Sequence, residues 1–430
     1  MERLSPDDAA ILALENANIL GHTLKLVVVE PGAAGALDAV AVRDRVASRL
    51  ERIPRLHQRV VLGPEPYWED DDDFDLDRHV REPAGETPPD RAQLEELVGE
   101  LMSKRLDHEH PLWTLDVVAL ADGALALVLR IHHCMADGMT VIRWAGELLW
   151  DDEPPPASAA TEPASATAPA RRRGVRAALR GGAGASAALA RELGEEARRR
   201  PRSPLDRHIS TTRAAAFAPR PLADLKRIGS AFAEHATVND VVLAAVGGGL
   251  ARWLAAGAGP VADMRVQVPV SLHRRHEGPD AAGNHDSFLF VDLPLTEPDP
   301  VTRLLAISAE TRERKHHHDA DVLYSFFHGL AHGRPLAAVA AHLGAGPRAF
   351  TLSVSNVPGP REPRALLGRP VSEIYTLAEP ADRHALRVSV ISVAGQLGFG
   401  LCADPDAVRD LDVLAAGIEA ELDALLERAV

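Results

Sequence analysis

The chain has 430 residues, of which 46% are hydrophobic and 25% charged, and its formal net charge is −15. That length exceeds what one hydrophobic core organises, so two domains are expected, and the composition is that of an ordinary globular protein. The acidic balance argues against a general nucleic-acid binder, while two cysteines, Cys134 and Cys402, are too few for a disulfide scaffold and fit a reducing cytoplasm.

The N-terminal stretch MERLSPDDAAILALENA has early acids and lacks the basic-then-apolar order of a secretory signal. Thr23 to Glu30, TLKLVVVE, reads as a strand, and helices are expected over 41–53 and 92–101. Between them, the acidic run EDDDDFDLD (Glu69 to Asp77) reads as a solvated loop. A strand at Thr114 to Leu120 precedes the most informative stretch, ALALVLRIHHCMADGM (Ala124 to Met139).

Leu125, Leu127, Leu129, Ile131 and His133 form one alternating set there, and Ala124, Ala126, Val128, Arg130 and His132 the other. Successive side chains on a strand point to opposite faces, so the two histidines diverge. Both sets are mainly apolar, as on a strand buried on both sides. From Val141 the apolar spacing turns helical, with Asp137 placed as N-cap and Gly138 permitting a tight turn. A histidine where such a strand runs out sits where open α/β sheets bind ligands, and its ordinary pKa suits a general base. A satisfied core histidine is the plainer reading of either ring taken alone. Chelation of one metal by two diverging rings is disfavoured, and Cys134 reads better as a small buried residue than as a thiol nucleophile. The HHH at His316 to His318 lies in a charged stretch and reads as solvent-facing.

From Asp152 to Pro204 the text becomes Pro/Ala/Ser-rich and then Arg-rich, which is linker composition and divides the chain into 1–151, 152–204 and 205–430. Beyond the linker, TVNDVV (Thr237 to Val242) has the form of a capping box at a helix start. The run VVLAAVGGGLARWLAAGAG is interrupted by Arg252, so no apolar segment reaches the roughly 18 residues that span a bilayer. Strands follow at RVQVPVS, SFLFVDLPL and RAFTLSVSN. SNVPGP (Ser355 to Pro360) ends the last of these in a turn, LRVSVISVAGQLGFGLCA is a hairpin, and a helix over 410–428 closes the chain.

His132-His133-Cys134-Met135-Ala136-Asp137-Gly138 fits HHxxxDG, the signature of acyl-CoA-dependent acyltransferases shared with peptide-synthetase condensation domains. WEDDDDFDLDRHV, RLDHEHPLW, VNDVVLAAV, VPVSLHRR, GNHDSFLFVDLP and SNVPGP resemble, in order, the blocks of bacterial wax ester synthase/diacylglycerol acyltransferases. The resemblance spans nearly all the chain outside the linker. It implies an α/β fold of two chloramphenicol-acetyltransferase-like domains with mixed sheets and a substrate tunnel between them. It further implies His133 as the base that deprotonates a hydroxyl acceptor, diacylglycerol or a long-chain alcohol, for attack on acyl-CoA. His132 would be supportive, Asp137 structural through a pair with a basic residue, and Asn239 near the catalytic centre as an oxyanion donor. Acyl-CoA is then a co-substrate, and no resident cofactor or metal is expected. The expected setting is the cytoplasm, with peripheral contact to the inner membrane or lipid droplets. Departures from the family pattern at Ile11-Leu12, Leu20-Gly21-His22 and Ser392-Val393-Ala394-Gly395 leave chain-length preference open. Two rival readings remain at this point: a condensation-type enzyme using a carrier-protein thioester, and a catalytically silent lipid-binding homologue.

Residues 171–202 hold ten Arg against three Glu, which leaves the rest of the chain at −22. Three glycines interrupt the only apolar stripe in this window, so electrostatic docking to an anionic surface, at about 1 kcal/mol per Arg, is the expected mode of lipid contact. Co-sedimentation with anionic vesicles should weaken with salt and on changing Arg171, Arg172, Arg173, Arg198, Arg199 and Arg200 to Gln. Vesicle binding unaffected by either change would mean that the linker is a solvated tether.

Overall fold

A computed structural model describes residues 2–32, 37–83, 85, 87–151, 203–232, 235–271, 286–316 and 349–429. The Arg-rich linker, the His316 to His318 run beyond its first residue, and the last four residues of VPVSLHRR lie outside the described residues. Before the linker come β1 (Glu2–Arg3), α1 (Pro6–Ala13), β2 (His22–Val29), α2 (Ala39–Ala47), β3 (Gln58–Val61), β4 (Tyr67–Asp70), α3 (Leu76–His79), β5 (Val80–Arg81), α4 (Arg91–Met102), β6 (Trp113–Ala119), β7 (Leu125–His132) and α5 (Gly138–Leu148). After it come β8 (Ala214–Pro221), α6 (Leu222–Ala231), α7 (Val238–Trp253), β9 (Met264–Ser271), β10 (Asp286–Leu293), α8 (Pro300–His316), β11 (Leu352–Val357), β12 (Ala365–Leu366), β13 (Arg369–Ala378), β14 (Leu386–Val393), β15 (Gln396–Ala403) and α9 (Leu411–Arg428).

Two six-stranded mixed sheets dominate. The first runs β12-β13-β2-β7-β6-β5 and the second β10-β9-β11-β14-β15-β8. β12 and β13 belong in sequence to the segment after the linker, yet β13 pairs antiparallel with β2 from Val371↔Val29 to Ala378↔Thr23. A cut at the linker therefore does not separate the sheets. The first sheet is completed by the second half of the chain.

The two apolar faces of β2 and β7 explain their burial. Val27, Val29, Leu125, Leu127 and Ile131 join one core with α2 and α5, and Leu24, Leu26, Val28, Ala126 and Val128 join another with α4. β14 likewise divides: Leu386, Val388 and Val390 enter the second-sheet core with α7 and α9, while Ile391 and Val393 enter the core of the first half. The alternate face of β14, bearing Arg387 and Ser389, thus looks toward the first sheet. Gly398 and Gly400 of β15 let β13 lie directly on the second sheet, since a Cβ at either would overlap the carbonyl oxygens of Ile374 and Thr376. The hairpin closes at Ala394-Gly395, both at positive φ, as a two-residue turn of the type that matches strand twist.

Two expectations are corrected here. The acidic run is solvated as expected at Asp70, Asp72, Asp73, Asp75 and Asp77, but it is not a loop throughout. Glu69 and Asp70 end β4, Leu76–His79 form α3, part-buried Asp71 accepts from His110 Nδ1 at 3.0 Å, and Asp73 and Asp77 pair with Arg78 and Arg43. The apolar helix over 238–258 is long enough by composition to cross a membrane despite Arg252, but α7 is enclosed in the second-sheet core, where Glu421 of α9 pairs with Arg252 at 2.5 Å and with Arg303. α7 is a core helix.

Because β2 would become an edge strand without β13, residues 1–151 expressed alone should aggregate or fail to melt cooperatively. Co-expression with 205–430 should restore soluble material, and a soluble, cooperatively folded 1–151 would contradict the shared sheet.

Candidate active site

β7 ends at His132 and the chain turns at once, with the His133 N–H donating to the Gly21 carbonyl at 2.8 Å. His132 is fully buried. Its Nδ1 accepts from the Cys134 N–H at 3.1 Å, so the proton of the neutral ring resides on Nε2. Glu15 Oε1 lies 2.6 Å from that nitrogen, close but off the line of an aligned hydrogen bond, and also meets His108 Nε2 at 3.1 Å, while Glu15 Oε2 pairs with Arg105. A side chain at Gly21, which has φ 72°, would overlap the His132 ring. The loop before β2 is held in turn by Glu379, whose carboxylate accepts from Gly21 N at 2.7 Å and Leu20 N at 3.0 Å. A residue from beyond the linker therefore fixes the loop on which His133 rests.

His133 is partly buried and shares its side of β7 with Ile131 and Leu129. On that side β2 presents Thr23 and Lys25, and β13 presents Thr376 opposite Lys25. Lys25 Nζ donates to Thr376 Oγ1. From the second sheet, Arg387 and Ser389 face the same space, in register with Ser353 and Ser355 of β11. Burial, and then the Arg387 and Lys25 cations, push the His133 pKa down to about 3, which keeps the imidazole neutral. His132 is also lowered to about 3, first by burial and then by His108 and Arg105. Burial lowers Lys25 to about 8. Between β6, β7, α2 and α5 lies a small cleft lined only by apolar residues, among them Trp113, Leu129, Ile131, Val141 and Trp144.

The other expected site residues are placed as follows. Asp137 caps α5 by accepting from Thr140 N at 2.7 Å, as the sequence predicts. Among the described residues no cation lies within 4.0 Å of Asp137, which is exposed, so the expected ion pair is not seen among them. Its structural part is the cap. Gly138 does not have a positive φ, and a Cβ there would meet nothing within 4 Å, so it marks open space before the helix rather than a strained turn. Cys134 is buried and burial pushes its thiol up to about 12, which disfavours a thiolate, in keeping with a small buried residue. Asn239 lies half-buried in the first turn of α7. The capping box beside it is complete, with Asp240 also accepting from Thr311 Oγ1 at 2.7 Å, and no hydrogen bond joins Asn239 to the motif among the described residues. Sequence reading missed Gly21, Lys25 and Glu379. Lys25 carried a signal, as the one charge inside an otherwise apolar strand, whereas Glu379 carried none.

Two mixed sheets meeting at a strand-end HHxxxDG histidine define a two-domain acyltransferase of the chloramphenicol-acetyltransferase fold. The chain belongs to the wax ester synthase/diacylglycerol acyltransferase family: residues 4–242 match its catalytic-domain model and residues 282–426 its C-terminal-domain model. It is 32% identical over 450 aligned positions to the Mycobacterium tuberculosis protein named "Probable diacyglycerol O-acyltransferase tgs1", covering 97% of this chain and 94% of that one. The wax ester synthase/diacylglycerol acyltransferase structure from Marinobacter aquaeolei VT8 superposes with a TM-score of 0.76 at 24% identity over 100% of both chains. The first condensation domain of the CDA synthetase superposes at 0.60 with 15% identity, covering 100% of this chain and 97% of that domain. The chain is an acyltransferase of this family.

The cap geometry gives Asp137→Ala a limited effect. Loss of one exposed N-cap should lower stability by about 0.5–2 kcal/mol, less than the ~3–5 kcal/mol of breaking a buried pair. Denaturant unfolding of Asp137→Ala and Asp137→Asn measures it, and a loss above that range would show a buried partner after all.

Proposed function

We propose that this chain moves a long-chain acyl group from acyl-CoA to the hydroxyl of a diacylglycerol, or of a long-chain alcohol, with His133 as general base. The observation that carries this reading is a neutral, partly buried imidazole at the end of β7, facing the space between the two sheets. In the proposed reaction His133 takes the acceptor hydroxyl proton, and the oxygen bonds to the thioester carbonyl carbon. The carbonyl electron pair moves to oxygen, then returns as the C–S bond breaks, and the proton passes from His133 to the departing CoA sulfur. His132 touches no reacting atom in this scheme. Locked by Cys134 N and Glu15, it holds the turn that aims its neighbour. The activated acyl group arrives on CoA, so the scheme calls on no resident cofactor or metal. Both acceptors partition into lipid, so we place the enzyme in the cytoplasm, working at a membrane or droplet surface.

Purified protein supplied with palmitoyl-CoA and either dipalmitoylglycerol or hexadecanol should release free CoA only when acceptor is present. His133→Ala should lower kcat by about 10²–10⁴ while melting cooperatively, and His132→Ala should cost less. Since burial and the neighbouring cations push the His133 pKa down to about 3 in the free protein, kcat/KM should show no inflection near pH 6.5, the ordinary histidine value. Reversed effects of the two substitutions would remove His133 from the role, whereas an acid limb centred near 6.5 would mean only that burial and the two cations do not depress its pKa.

A further inference from the structure

The space faced by His133 holds a buried cation, Lys25, and a part-buried one, Arg387, that the proposed proton transfer leaves unused. Lys25 is 7% exposed, and among the described residues its hydrogen-bond partner is the neutral Thr376 hydroxyl; no carboxylate lies within 4.0 Å of its ammonium. Arg387 of β14 has no hydrogen bond or ion pair among the described residues, and its Nε is buried without a partner. The hydroxyls of Thr23, Ser353 and Ser389 are also buried and unpartnered among those residues. Thr23 shares the Lys25 face of β2, Ser353 is the cross-strand neighbour of Arg387, and Ser389 is two residues along β14. An ionised amine taken out of water without a counter-ion is expensive, so such a cluster implies a ligand of negative charge.

We propose that Lys25, oriented by Thr376 and assisted by Arg387, is the group that receives the negative charge developing on the acyl oxygen during transfer. The inference rests on the acyl-transfer reading above. Four titratable or charged groups face Lys25 or Arg387: His133 from the end of β7, Asp137 at the start of α5, Glu379 after β13 and Cys402 of β15. Asp137 is exposed and capping α5, and Glu379 is engaged by Leu20 and Gly21 backbone amides, so neither is a paired counter-ion. The two cations also oppose protonation of His133. That opposition falls away when an oxyanion forms between them, so acceptance of the hydroxyl proton by His133 and arrival of charge on the acyl oxygen favour each other. When the tetrahedral adduct collapses, the charge leaves with the C–S electrons, CoA departs as the thiol, and Lys25 is again unpaired.

The sign of the stability effect separates this role from a packing role. A lysine whose folded pKa lies near 8, below its ordinary 10.5, destabilises the fold at neutral pH, and this deficit shrinks as pH rises through that window. Lys25→Met should therefore melt at the same temperature as the native protein or above it. Its kcat should nevertheless fall about 10²–10³-fold, the range for loss of one oxyanion donor, with the KM for acyl-CoA changed less than about threefold. Thr376→Val, which keeps the cation but frees it, should fall between. Native kcat/KM should decline above about pH 8 as Lys25 loses its proton, and Lys25→Arg should keep its remaining activity through that range. A second measurement does not need turnover: decylphosphonate, an anionic stand-in for the adduct, should bind the native protein at least about tenfold more tightly than Lys25→Met, a ratio corresponding to one decade of affinity. Lys25→Met with native kcat, or phosphonate binding indifferent to Lys25, overturns the assignment. A native protein that binds phosphonate through Lys25 yet releases no CoA would keep the anion site and defeat the acyl-transfer reading instead.

Discussion

The arrangement depends on one close approach, that of β13 to β15. β13 leaves the second half of the chain, pairs with β2 along its length, and rests its backbone on Gly398 and Gly400. Any side chain at those glycines would push the sheets apart at the level of Ile374 and Thr376. Two consequences follow from the contact. β2 becomes an interior strand of the first sheet, and Thr376 is set opposite Lys25 while Arg387 looks in from the neighbouring strand β14. Among the described residues, the space around His133 is thus made by backbone packing between sheets.

A second constraint works at right angles to the first. His132 and His133 point to opposite sides of β7, and the structure uses that divergence to divide tasks. His132 enters the face shared with His22 and Arg130, where a Cβ on Gly21 would displace it. Arg130 there donates to the carbonyls of Leu101 and Lys104, closing the C-terminal end of α4. His133 emerges on the other face, its backbone tied to Gly21 and Gly21 tied to Glu379. A pocket residue is positioned by a chain of hydrogen bonds that begins in the other half of the molecule.

What could be read from sequence follows the range of the interaction. Local features were legible: the buried strand ending at His132, the Asp137 cap, the Thr237–Asp240 capping box and the hairpin turn at Ala394-Gly395 all depend on residues within a few positions of each other. Within the acidic run only Asp71 departs from the exposure its composition suggests, because it is part-buried against His110, thirty-nine positions away. The crossing of β13 into the first sheet was illegible for the same reason, since strand pairing over more than three hundred positions leaves no periodic trace. Gly138 misled differently. A glycine after a cap suggests backbone strain, but its φ is ordinary and what it provides is room.

The molecule contains its own standard for a buried charge that serves the fold. Glu421 sits under the α7 glycines, and it is met by both Arg303 and Arg252, so its charge is fully answered inside the second core. Arg265 and Asp292 pair across β9 and β10 in the same manner. Lys25 follows neither pattern: it is as deeply buried, but the partner shown is a hydroxyl, and another cation stands near it. Folding alone would favour methionine or leucine at that position, as apolar replacements of buried ions often do. Within one chain, the difference between an answered and an unanswered charge separates groups that hold the sheets together from groups held ready by them, and the unanswered cations lie on the side of β7 where His133 emerges.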